Sequence, residues 1–202
     1  NAGFSIVKYE GNSIAGTKIP HGLSAAPDFI IAKGLDSTYN WMVYASPETA
    51  NKHAYLNLTN AFEDPAGGVV SIWNDTAPTS TVFSISNNIN INISGGEYIA
   101  YCFHSVSNYS KFGSYTGNGS ATGPTVTLNF APDWIMIKRT DSTGDWRVWD
   151  SVRDSSTPNN NILKPNTSEA EAVNDASAKI NFLTTGFQPA STHSSVNTSG
   201  AT

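Results

Sequence analysis

The side chains able to do chemistry are few and widely spaced. His21, His53, His104 and His193 show no His-x-His or His-x-x-x-His pairing of the kind that sets two imidazoles on one metal ion. His21, in Ile19-Pro-His-Gly-Leu, is placed to fix a turn. Cys102 is the only cysteine, so no disulfide can form within the chain. It stands in Glu97-Tyr-Ile-Ala-Tyr-Cys-Phe, an apolar strand pattern, which predicts a buried inert thiol rather than a nucleophile. No Gly-x-Ser-x-Gly elbow occurs. Glycoside hydrolysis needs two carboxylates about 5–10 Å apart across a bond. Asp28, Asp36, Glu63, Asp64, Asp141, Asp145 and Asp150 stand mostly beside turn residues, where carboxylates cap backbone N–H groups. Oxygen-rich loops such as Asp36-Ser-Thr and Asn159-Asn-Asn offer ligands of the type calcium takes, without an EF-hand or repeat-in-toxin pattern. The reading is a non-enzyme with no catalytic residues, no metal site and no cofactor.

Aromatic side chains are the remaining lead, because sugar C–H faces stack on aromatic rings beside polar partners. Trp41 and Trp146 share a strand face with Val43 and Val148, and Trp134 lies in an apolar run, so these three are expected in the core. Trp149 and Arg147 lie on the opposite face from Trp146, and Trp73 precedes a polar turn. With Tyr39 in the Asp36–Asn40 loop, Trp73 and Trp149 are the candidate exposed glycan-binding aromatics.

The rest of the composition constrains the partners. The net charge of −5 and pI near 5.2 offer no basic patch for phosphates, which argues against nucleic acid. No apolar run approaches the roughly 20 residues that span a bilayer, so membrane insertion is not expected. The opening Asn1-Ala-Gly-Phe-Ser-Ile-Val-Lys lacks the regions of a signal peptide, which is expected if a leader was removed or if this segment belongs to a longer chain. Charged residues are only 13% while aromatics reach 11%. Ser, Thr, Asn and Gly fill the gap, a mix that suits an all-β fold with many polar turns.

The elements that must position these residues are written twice. Tyr9-Glu-Gly-Asn matches Tyr115-Thr-Gly-Asn at an offset of 106 residues. Pro27-Asp-Phe-Ile-Ile-Ala-Lys matches Pro132-Asp-Trp-Ile-Met-Ile-Lys at 105, as do Asp36-Ser-Thr-Tyr-Asn-Trp and Asp141-Ser-Thr-Gly-Asp-Trp. Asn92-Ile-Ser-Gly matches Asn197-Thr-Ser-Gly at the same offset, so the chain reads as a duplication. Strands are expected at Phe4–Tyr9, Thr17–Gly22, Asp28–Lys33, Trp41–Ser46, Ala54–Leu58, Val69–Trp73, Val82–Ser86 and Tyr98–His104. Turn formers such as Gly11-Asn12, Gly67-Gly68, Asn74-Asp75 and Gly95-Gly96 divide them. The runs Phe29–Ala32 and Trp134–Ile137 are apolar throughout and predict burial of both faces. Only Ser168–Val173 has helix-forming composition, enough for one turn. The expected fold is an antiparallel β-sandwich. Residues 1–202 form one pseudo-twofold domain, from repeat 1 (1–106) and repeat 2 (107–202), with two tandem small sandwiches as the alternative. The second repeat stops at Thr202, where a counterpart of Tyr98–Phe103 should begin. The expectation is that this strand comes from residues outside the segment or from a neighbouring chain, and that the fragment alone is oligomeric or aggregation-prone.

These strings, above all Tyr115-Thr-Gly-Asn-Gly and Lys138-Arg-Thr-Asp-Ser-Thr-Gly-Asp-Trp, resemble a duplicated β domain of phage structural proteins. It is found in tail-fibre and other virion proteins of marine and cyanobacterial phages, whose members continue past this C-terminus into an aromatic strand. The resemblance covers essentially the whole chain and brings no catalytic residues. It implies a lectin-like or jelly-roll sandwich in a virion or extracellular-surface module. With the missing strand and the candidate aromatics, the expectation is a homo-oligomer or a module assembled with other virion or appendage subunits, with weak multivalent recognition of host cell-surface glycan. A carbohydrate-active depolymerase and a purely structural filament or capsid-decoration subunit are the alternatives.

Overall fold

The computed structural model describes residues 3–65 and 70–202. They fall into two compact units. Residues 1–56 and 62–113 form the first, and residues 57–61 and 114–202 form the second. In the first, β1 (Phe4–Glu10), β7 (Glu97–Phe103), β3 (Phe29–Gly34), β4 (Met42–Ala45) and β5 (Ala54–Tyr55) make one antiparallel sheet in that order. β2 (Thr17–Pro20) and β6 (Val82–Ile85) pair separately, and α1 (Ile89–Asn92) is a single turn. Ile30, Ala32, Met42, Tyr44, Ala100 and Cys102 from the larger sheet meet Ile19, Phe83 and Ile85 from the smaller in one buried cluster. The alternation along each strand thus builds a sandwich. The second unit pairs β9 (Trp134–Ile137) with β10 (Arg147–Asp150), and separately β11 (Ile180–Leu183), β12 (Gly186–Pro189) and β8 (Val126–Thr127), with α2 (Ser194–Asn197) as its single turn. Ile135, Ile137 and Trp149 from one sheet share a buried cluster with Ile180 and Phe187 from the other. The fold is all-β and antiparallel, with each unit layered as a sandwich.

The string Tyr-x-Gly-Asn does the same work in each unit. The Tyr9 hydroxyl donates to the Ile91 carbonyl and the Tyr115 hydroxyl to that of Val196, so each closes a single-turn helix. A Cβ on Gly11 would sit 2.2 Å from the Ile93 oxygen, and one on Gly117 would sit 2.2 Å from the Thr198 oxygen, so only glycine fits. The Asn12 N–H donates to the Asn92 side-chain oxygen at 2.8 Å, and the Asn118 N–H to that of Asn197 at 2.9 Å. Asn92 then donates to the carbonyls of Ile14 and Ser86, and Asn197 to those of Ser120 and Ser191. Both asparagines are almost fully buried, at 0% and 1% exposure, and tie three backbone segments together. The strand register recurs as well: Phe29 faces Ala45 and Ile30 faces Tyr44, as Trp134 faces Asp150 and Ile135 faces Trp149.

Three expectations change. Of the strand expected at Val69–Trp73, Val69 lies outside the described residues, as does the Gly67-Gly68 turn, and residues 72–75 form a turn. The Asp75 carboxylate accepts the Ser71 N–H there, while Asn74 and Asp75 take left-handed backbone angles. Ser168–Val173 is not helical; Ala172 instead bridges Ile162 in an isolated antiparallel pairing, and the single helical turns are capped elsewhere, by Asn88 and His193. Trp134 is 57% exposed rather than core, whereas its counterpart Phe29 is 7% exposed. The difference has a visible cause: β3 is flanked by β7 as well as β4, and β9 pairs with β10 alone among the described strands.

Candidate functional site

The three aromatics chosen from the sequence do not form one site. Tyr39 is half-buried in the β3–β4 loop and, with Leu35, Asp36, Ser37 and Thr38, lines an open surface depression. The loop is anchored from beneath. Lys33 Nζ donates to the carbonyls of Gly34 and Ser37, and the Asp36 carboxylate accepts the Glu97 N–H. Trp73 is a correction, because it is 1% exposed. Its indole N–H donates to the Val43 carbonyl at 3.3 Å, and its ring meets Tyr44 and Phe83 edge-on. The turn fixed by Asp75 directs polar groups outward and so sends the tryptophan inward. Trp149 is a second correction at 0% exposure, on the β10 face that packs with Ile135 and Ile137. Alternation did separate it from Trp146, but both faces of β10 are buried: Trp146 is 2% exposed and Val148 is 6%.

The polar groups mostly bind backbone. Asp28 accepts the Ser46 hydroxyl and the Ser105 N–H, and Asp133 accepts the Ser151 hydroxyl. Asp154 accepts the N–H groups of Ser156, Asn160 and Asn161 together with the Ser156 hydroxyl. Although burial opposes it, these donors hold the Asp154 carboxyl down at about 2. His21 Nδ1 accepts the Leu23 N–H, which leaves the proton on Nε2 to donate to the Thr79 carbonyl at 3.0 Å. The histidine therefore locks a turn. The Cys102 thiol is fully buried and pushed up to about 12 by desolvation, which removes the thiolate. Among the described residues no three His, Cys, Asp or Glu side chains approach closely enough to hold a metal ion.

The second unit holds a charge that sequence reasoning placed on a strand face without asking what lay opposite. Arg147 is 5% exposed and pairs across the sheet with Ile137, on the same face as Trp149. Its Nε and Nη1 and the Trp149 Nε1 have no hydrogen-bond partner. Nη2 lies 3.4 Å from His193 Nε2. His193 Nδ1 already accepts the Ser195 N–H, so a neutral ring carries its proton on Nε2 and that contact sets donor against donor. The nearest carboxylate oxygen, on Asp145, is 3.8 Å away and is shared with Lys164 at 3.6 Å, while the other Asp145 oxygen accepts from Asn166. Desolvation lowers the Arg147 pKa, against the opposing pull of Asp145, Asp175 and Glu169. The cluster is a set of donors short of acceptors.

Fold and contacts together define a class: an all-β chain of two antiparallel units whose polar side chains chiefly tie backbone to backbone. The chain belongs to the family described as Domain of unknown function (DUF7483), whose model matches residues 1–202. No curated protein and no solved structure matches it.

Proposed function

We propose that the chain is a non-enzymatic structural module of a virion or surface appendage, built on one duplicated β design and acting through assembly with neighbouring subunits. The observation that carries this reading is the double use of its polar residues. Tyr9 and Tyr115, and Asn92 and Asn197, each spend their hydrogen bonds on equivalent backbone groups in their own unit, and Asp28 and Asp133 accept the equivalent hydroxyls of Ser46 and Ser151. The placement on a virion is supported by the resemblance of the Tyr115–Gly119 and Lys138–Trp146 strings to phage structural domains. Incubation with a panel of bacterial polysaccharides should release no oligosaccharide, and antibody against the chain should decorate purified particles in electron micrographs. Release of oligosaccharide that disappears on changing a single carboxylate would instead make the protein a depolymerase.

A second reading, weak glycan recognition, is favoured by the Tyr39 depression, where a half-exposed ring stands beside the polar side chains of Asp36 and Thr38. Displayed multivalently on an array, the chain should lose glycan binding on Tyr39→Ala with its melting temperature nearly unchanged. Trp73→Ala and Trp149→Ala should lower the melting temperature by several degrees whatever the ligand, because both remove buried rings.

A further inference from the structure

We propose that His193 is a proton-operated latch: on gaining a second ring proton it releases α2 and loosens the second unit, while the first unit stays closed. The latch lies in the cap of α2. His193 Nδ1 accepts the Ser195 N–H at 3.1 Å, and this bond is the side-chain cap of the turn. A neutral ring that accepts there holds its one proton on Nε2. The second proton can enter only at Nδ1, where it takes the lone pair that the cap uses. The same proton makes the ring a cation, with Arg147 Nη2 3.4 Å from Nε2. One event thus removes a hydrogen bond and sets a second positive charge beside a guanidinium whose Nε and Nη1 already lack acceptors. The first unit has neither part. Its cap is Asn88, whose amide oxygen accepts the Asn90 N–H at 2.9 Å and does not titrate, and Met42 stands in the place of Arg147.

The charged groups around the ring act in both directions. Burial, then Arg147, holds the His193 pKa below the ordinary histidine value; Lys164 adds to this, while Asp175 and Asp145 oppose it. Asp175 already accepts the N–H and hydroxyl of Ser177, and Asp145 accepts from Asn166. Against α2 itself, Arg139 Nη1 donates to the Ser194 carbonyl and its guanidinium is paired with Asp141. The folded value lies below the unfolded value of about 6.5, so stability is fully present above about pH 6.5. It is lost as pH falls from there through the folded value. The turn that is released holds other segments. The Tyr115 hydroxyl donates to the Val196 carbonyl, and the N–H groups of Asn118 and Gly119 donate to Asn197. The Asn197 side chain donates in turn to the carbonyls of Ser120 and Ser191. Loss of the cap therefore slackens the knot that ties residues 115–120 to this end of the unit.

The proposal goes beyond the structural reading and is tested apart from it, on the whole chain. Amide hydrogen exchange, corrected for intrinsic rates, is compared at about pH 7.5 and about pH 5, on either side of the ordinary histidine value. Protection at Ser195, Asn118 and Gly119 should fall by about fivefold or more on acidification, the size of a lost N-cap. Protection at the equivalent Asn90 and Asn12 should hold. His193→Asn, which installs the cap of the first unit, should keep the protection at neutral pH and abolish the fall. Nitrogen NMR of the native ring gives a readout that needs no variant. Nδ1 should be unprotonated at neutral pH and gain its proton over the same pH range in which protection is lost. A protonated Nδ1 at neutral pH, a fall that persists in His193→Asn, or an equal fall in both units would overturn the proposal. So would protection at Ser195 that does not change with pH.

Discussion

At one core-facing position the two units made opposite choices. β4 places Met42 there, fully buried among apolar neighbours, and β10 places Arg147 there, buried to nearly the same depth. The strand pairings around them are equivalent, Ala32 opposite Met42 and Ile137 opposite Arg147. The backbone design therefore does not depend on what fills this site. What differs is the energy. Methionine loses apolar surface to the core and gains by it, whereas arginine gives up hydration and leaves its Nε and Nη1 without a hydrogen-bond partner.

Exchanging the two residues is the sharpest way to break the comparison. Met42→Arg puts a charge at a fully buried position inside an apolar cluster, and urea unfolding should show a loss of about 4 kcal/mol or more. A loss below about 1 kcal/mol would mean that the first core yields to a charge as the second does. The buried asparagines come next. Asn92→Ala and Asn197→Ala each abandon three backbone groups, and each should cost about 2–4 kcal/mol in the same assay. Similar losses would show that the shared framework is equally taut in both units. Arg147→Met is expected to raise stability by about 1–3 kcal/mol, as replacing a buried charge by an apolar residue of similar volume does. A decrease would show that Asp145 and Asp175 compensate the guanidinium at longer range.

The smallest effect concerns pH. Burial, followed by the charge of Arg139, brings Lys138 from the ordinary lysine range down to about 8. The folded chain then releases this proton more readily than the unfolded chain. The cost of burying the ammonium is fully present below pH 8 and fades as pH rises from about 8 toward the unfolded lysine value near 10.4. Stability should rise across that window by about 1 kcal/mol after allowing for water at the partly exposed group, and Lys138→Met should flatten the slope.

Much of this was legible in residue order, and the illegible parts share a cause. Short apolar patterns bounded by turn formers located most strands of the first unit, since Phe4–Glu10, Phe29–Gly34 and Glu97–Phe103 need only their own residues to declare themselves. The offset that aligned Asn92 with Asn197 also marked the two residues that knot each unit together. Nothing in an Asn-rich chain tells a buried asparagine from a surface one except such recurrence. Trp134 looked like core because its run copies that of Phe29. Whether a strand acquires a second neighbour is decided by distant chain, which local composition does not contain. Trp73 was misjudged for a related reason: the Asn74-Asp75 turn signal was read correctly, but which side of the turn faces the core depends on Val43 and Phe83, far away in sequence. Arg147 was placed on the face of Trp149 by alternation, and taking that face as exposed hid the burial of both.

The lone sulfhydryl of the first unit has a use of its own. Cys102 sits in β7, which is held between β1 and β3, and its thiolate is suppressed. An alkylating reagent reaches it only when that strand parts from its neighbours. The second unit contains no cysteine and stays silent. The rate of alkylation therefore clocks the opening of one half of the molecule, with no label introduced and no signal from the other half.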